Sequence, residues 1–434
     1  MFAENLPRLL QPILLCLGAG LICWILGRRL SVLSRILSLA AAVAAAGQCG
    51  ALWRAGQASW APAVPWMSFG VFDVQVSLAL TGLSGILALA ASGFAILVLL
   101  YAWPHPVGGD GKFHAYALWS LAGAVGAFYA DDLLFLLICW EFLTLCLYLL
   151  IGRGEEETTP AGAAKTFAML GFSDCCLLLA VALVLATQGT LSMTGLSIST
   201  ASAAGKAAYL LFLCAALAKA GAVPVHSWIP AAAEGAPVPV MAYVPAALDK
   251  LLGIYLLARV TLDLFAVGTR VQALLMVIGA VTILAAVFMA MVQHDVRKLL
   301  AFHAVSQVGY MVLGIGTGTA IGIVGGLFHM LNNAVYKSCL FLCAGAVQER
   351  TGETRLERLG GLARQMPLAF VCCSVAALAI SGVSPLNGFV SKWLVYQGAL
   401  ESTSRLAPFV LVAAVFGSAL TLASFVKVVH SCFW

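Results

Sequence analysis

The stretch Tyr209-Leu-Leu-Phe-Leu-Cys-Ala-Ala-Leu-Ala-Lys219-Ala-Gly-Ala-Val-Pro224 decides the fold class. It is an apolar run of helical length that carries a cation and then ends in a proline break. A charge near the centre of a bilayer costs about 2.5–3.5 kcal/mol on the lenient insertion scale, so residues of this kind mark ion routes. Lys250, Lys337 and Lys392 repeat the pattern, and Glu141 adds an acid within Leu-Leu-Ile-Cys-Trp-Glu141-Phe-Leu-Thr. Five such residues predict a route for protons or cations through a membrane.

Composition agrees with a lipid solvent. Of the 434 residues only 9% are charged and 62% are hydrophobic, against roughly a quarter charged in soluble domains. At about 20 apolar residues per span, a chain of this length holds about a dozen helices or more. The runs lack the short alternation of an outer-membrane barrel. The net charge of +5 resides in loops, where it signals topology and not a nucleic-acid surface. The thirteen cysteines lie in apolar runs without metal-ligand spacing and read as small apolar residues. Pro7 and Arg8 lead into an ordinary first span with no cleavage site.

The expected class is therefore all-α, a polytopic membrane protein of about thirteen or fourteen spans. Thirteen apolar runs are visible, at 9–27, 33–53, 76–103, 114–130, 132–151, 162–187, 207–223, 238–258, 271–292, 299–316, 320–347, 367–390 and 406–430. Asp131-Asp132 reads as a tight hairpin tip, and Asn332-Asn333 predicts an interruption of its helix. Twelve Lys and Arg fall on one set of alternating loops: Arg28, Arg29, Arg35, Lys112, Arg153, Lys165, Arg297, Lys298, Arg350, Arg355, Arg358 and Arg364. Six fall on the other: Arg8, Arg54, Lys206, Arg259, Arg270 and Arg405. The positive-inside bias places the N-terminus outside the cytoplasmic membrane.

Helix seven breaks around Pro224, and helix twelve breaks in Ser381-Gly-Val-Ser-Pro385-Leu-Asn-Gly388. Paired Gly/Pro-interrupted spans mark transporters built from repeats. Lying five spans apart, the breaks imply inverted five-helix repeats. The expected division is 1–112 for the first three helices, 113–260 for the first repeat and 261–434 for the second. An opposite charge at about 6 Å, with an effective dielectric of about 20, contributes about 2.8 kcal/mol. Moving one charge against about 150 mV costs about 3.5 kcal/mol. Making and breaking one buried ion pair is thus of the right size to load and release a proton.

Each residue also has a plainer reading. Glu141 could tie two helices together, and Lys250 could pair with its neighbour Asp249 or reach for the interface. His303 and His329 sit on apolar faces, where histidines commonly pack. Lys427, near a span end, reads as a snorkelling side chain.

Ala130-Asp-Asp-Leu-Leu-Phe-Leu-Leu-Ile-Cys-Trp-Glu141-Phe-Leu-Thr resembles the fifth-helix motif of the antiporter-like subunits of respiratory complex I. That family also includes Mrp-type antiporters and energy-converting, formate-hydrogenlyase-type hydrogenases. Ala218-Lys219-Ala-Gly-Ala-Val-Pro-Val-His226-Ser-Trp-Ile-Pro230 resembles the seventh-helix motif. Lys298-Leu-Leu-Ala-Phe-His303-Ala-Val-Ser-Gln-Val-Gly-Tyr310, His329-Met-Leu-Asn-Asn-Ala-Val-Tyr-Lys337 and Gly388-Phe-Val-Ser-Lys392 follow in the family's order. The resemblance runs from about residue 70 to 430. It implies that Glu141 and Lys219 form a first-half pair, that Lys250, His329 and Lys337 form a central relay, and that Lys392 is the second-half terminal residue. His303 and Asp249 are secondary candidates. Two departures stand out: Tyr243-Val-Pro245 replaces an early histidine of some members, and Asp249 beside Lys250 is expected to lower that lysine's availability. The ending His430-Ser-Cys-Phe-Trp434 suggests a partial chain that lacks a fourteenth span or a lateral helix.

The leading expectation is a proton-translocating subunit of a redox-driven complex, of hydrogenase or NADH:quinone oxidoreductase type. Its partners would be other integral membrane subunits and a peripheral redox arm, and its cargo protons or Na+. No catalytic, cofactor-binding or metal residue is assigned in this chain. Iron–sulfur, nickel–iron, flavin or quinone groups are expected in partner subunits. A secondary Mrp-type antiporter without electron transfer and a structural membrane anchor are the alternatives.

Overall fold

Apolar runs long enough to span lipid have no alternative to the helix, because only internal hydrogen bonding satisfies the backbone there. A computed structural model describes residues 5–56, 64–68 and 73–434. The helices of its first part are α1 (Asn5–Leu26), α2 (Ser31–Arg54), α3 (Gly82–Tyr101), α4 (Gly111–Tyr129), α5 (Leu133–Ile151) and α6 (Thr159–Gln188). Then follow α7 (Ala203–Ala220), α8 (Trp228–Gly235), α9 (Val238–Tyr243), α10 (Asp249–Ala258), α11 (Thr269–Met291) and α12 (Val296–Gly316). The last are α13 (Ala320–Thr351), α14 (Pro367–Ser381), α15 (Asn387–Glu401) and α16 (Ala407–Phe433). Each of the thirteen expected runs meets a helix or a broken helix. Among the described residues ten helices are long and apolar enough to cross a membrane, so the chain is a multi-pass, all-α membrane protein. Its strands are small: an antiparallel hairpin of β1 (Val64–Ser68) and β2 (Asp73–Val76), and a parallel pair of β3 (Ile198–Ser199) and β4 (Phe265–Ala266).

Several helix starts are fixed by the side chain before them. Asp132 accepts from the backbone of Leu134 at 2.8 Å and Phe135 at 3.1 Å, which makes Asp131-Asp132 the expected hairpin tip between α4 and α5. Asp295 caps α12 through Arg297 and Lys298, and Thr319 caps α13 through Gly322. Such caps satisfy amides that the helix itself cannot.

By contacts the chain forms two units. One comprises residues 1–154, 170–215 and 259–266, and the other 155–169, 216–258 and 267–434. This division follows packing, whereas the expected repeats follow symmetry. In the first unit α4 is buried along almost its whole length, and α5 approaches it closely at Cys139 and Leu143, which lie against Gly126 and Gly123 of α4. The second unit packs α12 and α13 together with α15 and α16, around a core of Met276, Ile283, Tyr310, Leu313, Val395 and Ala414. Loops expected on one membrane side gather there: Leu356 donates to the His294 carbonyl, Gly361 to that of Trp434, and Lys298 pairs with Glu234 at 2.8 Å.

One local expectation needs correcting. The Asn332-Asn333 pair does not interrupt its helix, since α13 runs unbroken over 32 residues. Asn332 turns outward to bond the carbonyl and side chain of Asn387 at 3.0 Å each, so it does not compete for its own backbone. Span eight, in contrast, is not a plain helix. Between α9 and α10 the residues Val244–Leu248 form a π turn, closed by Asp249 N–H on the Val244 carbonyl. Pro245 lies in this turn and lacks the amide a regular helix would need there. Wide turns of this sort recur at functional sites.

Candidate proton-pathway site

The two helix breaks position the site. α7 ends where Gly221 takes φ +81, a left-handed conformation that suits glycine, and α14 ends the same way at Gly382 with φ +82. In both, a proline follows three residues later, Pro224 and Pro385. At the first break the Leu217 carbonyl accepts from Gly221 and Ala222, and that of Ala218 from the Trp228 indole at 2.9 Å. The Val223 amide is met by Thr282 at 3.2 Å. At the second, the Ala379 carbonyl accepts from Gly382 and that of Leu378 from Val383.

In each break one further carbonyl is taken by a lysine. Lys250 Nζ donates to the Ala220 carbonyl at 3.0 Å, and Lys392 Nζ donates to that of Ile380 at 2.8 Å. A buried ammonium needs such partners, because burial without hydrogen bonds is prohibitively costly. Lys250 reaches Ala220 because Gly253 lets α10 lie against the end of α7. A Cβ at that glycine would stand 2.5 Å from the Ala220 nitrogen.

The second unit brings together most of the expected residues. Lys219, Asp249, Lys250, His303, His329 and Lys337 are fully buried, and Lys392 is 1% exposed. Lys219 lies 3.9 Å from Asp249, so the acid that was expected to affect its neighbour Lys250 also forms an ion pair with the lysine before the break. Lys250 in turn lies within electrostatic reach of Lys337. Lys337 donates to the Leu300 carbonyl at 2.8 Å and stands 5.6 Å from the Phe425 ring. His303, whose ring lies tilted against that of Phe425 with centroids 4.6 Å apart, holds Ser424 at 2.7 Å and lies within electrostatic reach of Lys337 and Lys392. His329 is fixed by Ser391 at 2.9 Å, Gln307 at 3.1 Å and Tyr336 at 3.3 Å. Lys392 lies 4.5 Å from the Tyr310 ring, a cation–π contact. The result is a row of titratable groups that runs from one broken helix to the other.

Glu141 is different. It was expected to be buried, and α5 instead presents it on an exposed face with Ile138, Leu145 and Tyr148. The adjacent Trp140 points inward and donates to Asp174 at 2.8 Å, and the helical turn then carries position 141 outward. Asp174 escaped the sequence reading, as did Gln307, Tyr310, Tyr336 and Ser391. Gln307 had a usable signal, one helical turn beyond His303 in the same apolar run. Lys427 behaves as expected for a span end, half-buried and donating to the Gln293 carbonyl at 3.1 Å.

Fold and row together define a polytopic membrane protein with ionisable groups buried between two discontinuous helices. The chain belongs to the NADH:quinone oxidoreductase/Mrp antiporter transmembrane family, whose model matches residues 130–421. Subunit N of the NADH-quinone oxidoreductase of Desulforudis audaxviator (strain MP104C) is 32% identical over 418 residues, 92% of this chain and 80% of the relative. Hydrogenase-4 component B of Escherichia coli (strain K12) is 29% identical over 350 residues, 76% of this chain and 52% of the relative. Among solved structures, the Mrp complex from Dietzia sp. DQ12-45-1b contains a chain that superposes with a TM-score of 0.88 at 28% identity, covering 98% of this chain and 47% of that one. The chain is thus an antiporter-like membrane subunit, and it spans about half the length of the latter two relatives.

Proposed function

We propose that this chain carries protons along the row Lys250, Lys337, His303, His329 and Lys392, with the Lys219–Asp249 pair as its switch. The observation that carries the reading is the continuity of the row: buried titratable groups, each with a carbonyl, hydroxyl or amide partner, link the two breaks. At 3.9 Å and an effective dielectric of about 20 the Lys219–Asp249 attraction is about 4 kcal/mol. That is comparable to the cost of about 3.5 kcal/mol for moving one charge against about 150 mV. Opening and closing this pair can therefore drive a proton against a membrane potential.

The near-identical breaks support two inverted repeats, over 113–260 and 261–434. Another integral membrane subunit is the proposed cover of the exposed α5 face that carries Glu141, a reading supported by the likeness to a chain of a multi-subunit membrane complex. We place the chain in the cytoplasmic membrane with its N-terminus outside, as a subunit of a redox-driven complex of hydrogenase or NADH:quinone oxidoreductase type. Its redox groups reside in partner subunits and a peripheral arm. The likeness to a chain of an Mrp complex favours a second reading, a subunit of a cation/proton antiporter that moves Na+ without electron transfer. Mild-detergent purification separates the two. Co-purifying redox subunits support the first; other membrane subunits alone, with Na+-dependent pH changes in vesicles, support the second.

A further inference from the structure

We infer that Asn333 anchors a buried water site that joins Lys337 to His303, a deepening that rests on the proton-pathway reading above. Asn333 is fully buried in the middle of α13, and neither atom of its amide has a hydrogen-bond partner among the described residues. On the facing helix α12, two buried atoms share this condition, the Nδ1 of His303 and the Nε2 of Gln307. Both residues are fully buried on α12.

The register of α12 against α13 brings these groups to one level. His329, one turn before Asn333, bonds Gln307, and Lys337, one turn after it, bonds the Leu300 carbonyl. From the first contact to the second α13 advances eight residues while α12 retreats seven. Asn333 therefore lies on the same ridge, level with His303 and Ala304. Phe425, touching both His303 and Lys337, bounds the group on the side of α16.

The chemistry of the unused atoms selects the ligand. Gln307 Nε2 and Asn333 Nδ2 can only donate, whereas Asn333 Oδ1 can only accept. When His303 Nε2–H donates to Ser424, its Nδ1 is an acceptor. A water molecule, donor and acceptor at once, matches this mixture, and internal waters typically make about three such bonds. A metal cation would find one amide oxygen facing two amide N–H donors, a poor ligand set. Lys337 has N–H groups beyond the one given to Leu300. The step balances simply: the Lys337 ammonium gives a proton to the water oxygen as the water gives one of its own to His303 Nδ1. Lysine is left neutral, imidazole is left as imidazolium, and the water is unchanged. Asn333 does not titrate; it holds the water.

The test uses the intact complex. A cryo-EM map fine enough to show ordered water is expected to place density within hydrogen-bond distance of the Asn333 amide, and a dry site there overturns the inference. In energised vesicles Asn333→Leu is expected to lower proton translocation about tenfold, while Asn333→Ser, which keeps a polar anchor, retains most of it. Should Asn333→Leu fail to assemble, Asn333→Ala takes its place, again with loss expected beside retention in Asn333→Ser. Wild-type translocation by the apolar variant, with Lys337→Ala inactive, overturns the water site and leaves the pathway standing. Normal translocation by Lys337→Ala instead removes the pathway, and the map alone then decides the water site.

Discussion

The two breaks share a backbone and differ in how they handle charge. At the first, two lysines and one carboxylate converge: Lys219 pairs with Asp249, and Lys250 takes the Ala220 carbonyl. At the second, Lys392 reaches back to the Ile380 carbonyl and lies over Tyr310, with no ion pair among the described residues. The same Gly-x-x-Pro turn thus serves a charge-paired site and a dipole-stabilised one. The ammonium at the second break rests on a carbonyl and a ring, and a cation–π contact contributes only about 2 kcal/mol when desolvated. Loading a proton at the first break is coupled to a specific partner; at the second it depends on what arrives along the row.

This difference gives the variants distinct signatures. Asp249→Asn leaves the Lys219 ammonium without its charge partner, and breaking a buried pair in this way costs about 3–5 kcal/mol. A large drop in the detergent melting temperature and in assembly is the expected outcome, and a melting curve like the wild type would show that the pair carries little weight. Lys392→Met orphans no acid. It is expected to assemble and melt almost as the wild type does while losing translocation, so a collapse of stability there would erase the contrast between the breaks.

Much of this arrangement is legible in the sequence, for identifiable reasons. The spans follow from long apolar runs, and the breaks from Gly221, Pro224, Gly382 and Pro385, whose backbone effects are local. The lysines stand out because a charge in such a run has few structural uses. What escapes is what depends on a neighbouring helix. α5 is apolar all round, so its sequence cannot say that Trp140 faces in and Glu141 out. The Lys219–Asp249 contact joins residues thirty apart, across a break and a π turn that only Pro245 announces. Asn332-Asn333 reads as a helix breaker until Asn387 is seen to take up the Asn332 side chain.

Smaller effects sharpen the comparison further. Lys219→Arg keeps the charge beside Asp249 but holds its proton too tightly to release it, so intact assembly with partial loss of translocation is expected. Full activity would mean that Lys219 positions Asp249 electrostatically and does not itself give up a proton. Near the surface, Glu353 is held below the usual carboxylate range, first by the backbone amide of Arg355, then by that of Thr354, with Arg358 adding. A carboxylate depressed in the folded state contributes stability above its unfolded-state value and loses it as pH falls through the folded one. Protection factors of the amides in 352–366, taken relative to their intrinsic exchange at each pH, are therefore expected to fall on acidification, an effect that Glu353→Gln should abolish without altering translocation.

The central claim is that buried lysines of the row, and not lysines in general, carry the protons. Lys337 is fully buried at the middle of the row, whereas Lys427 is half-buried and caps a helix end. Proton uptake into inverted vesicles, measured on complexes shown to be fully assembled, compares Lys337→Ala with Lys427→Ala. Uptake at the level of passive leak in the first and near wild type in the second is the expected result. Equal uptake by the two variants would contradict the claim.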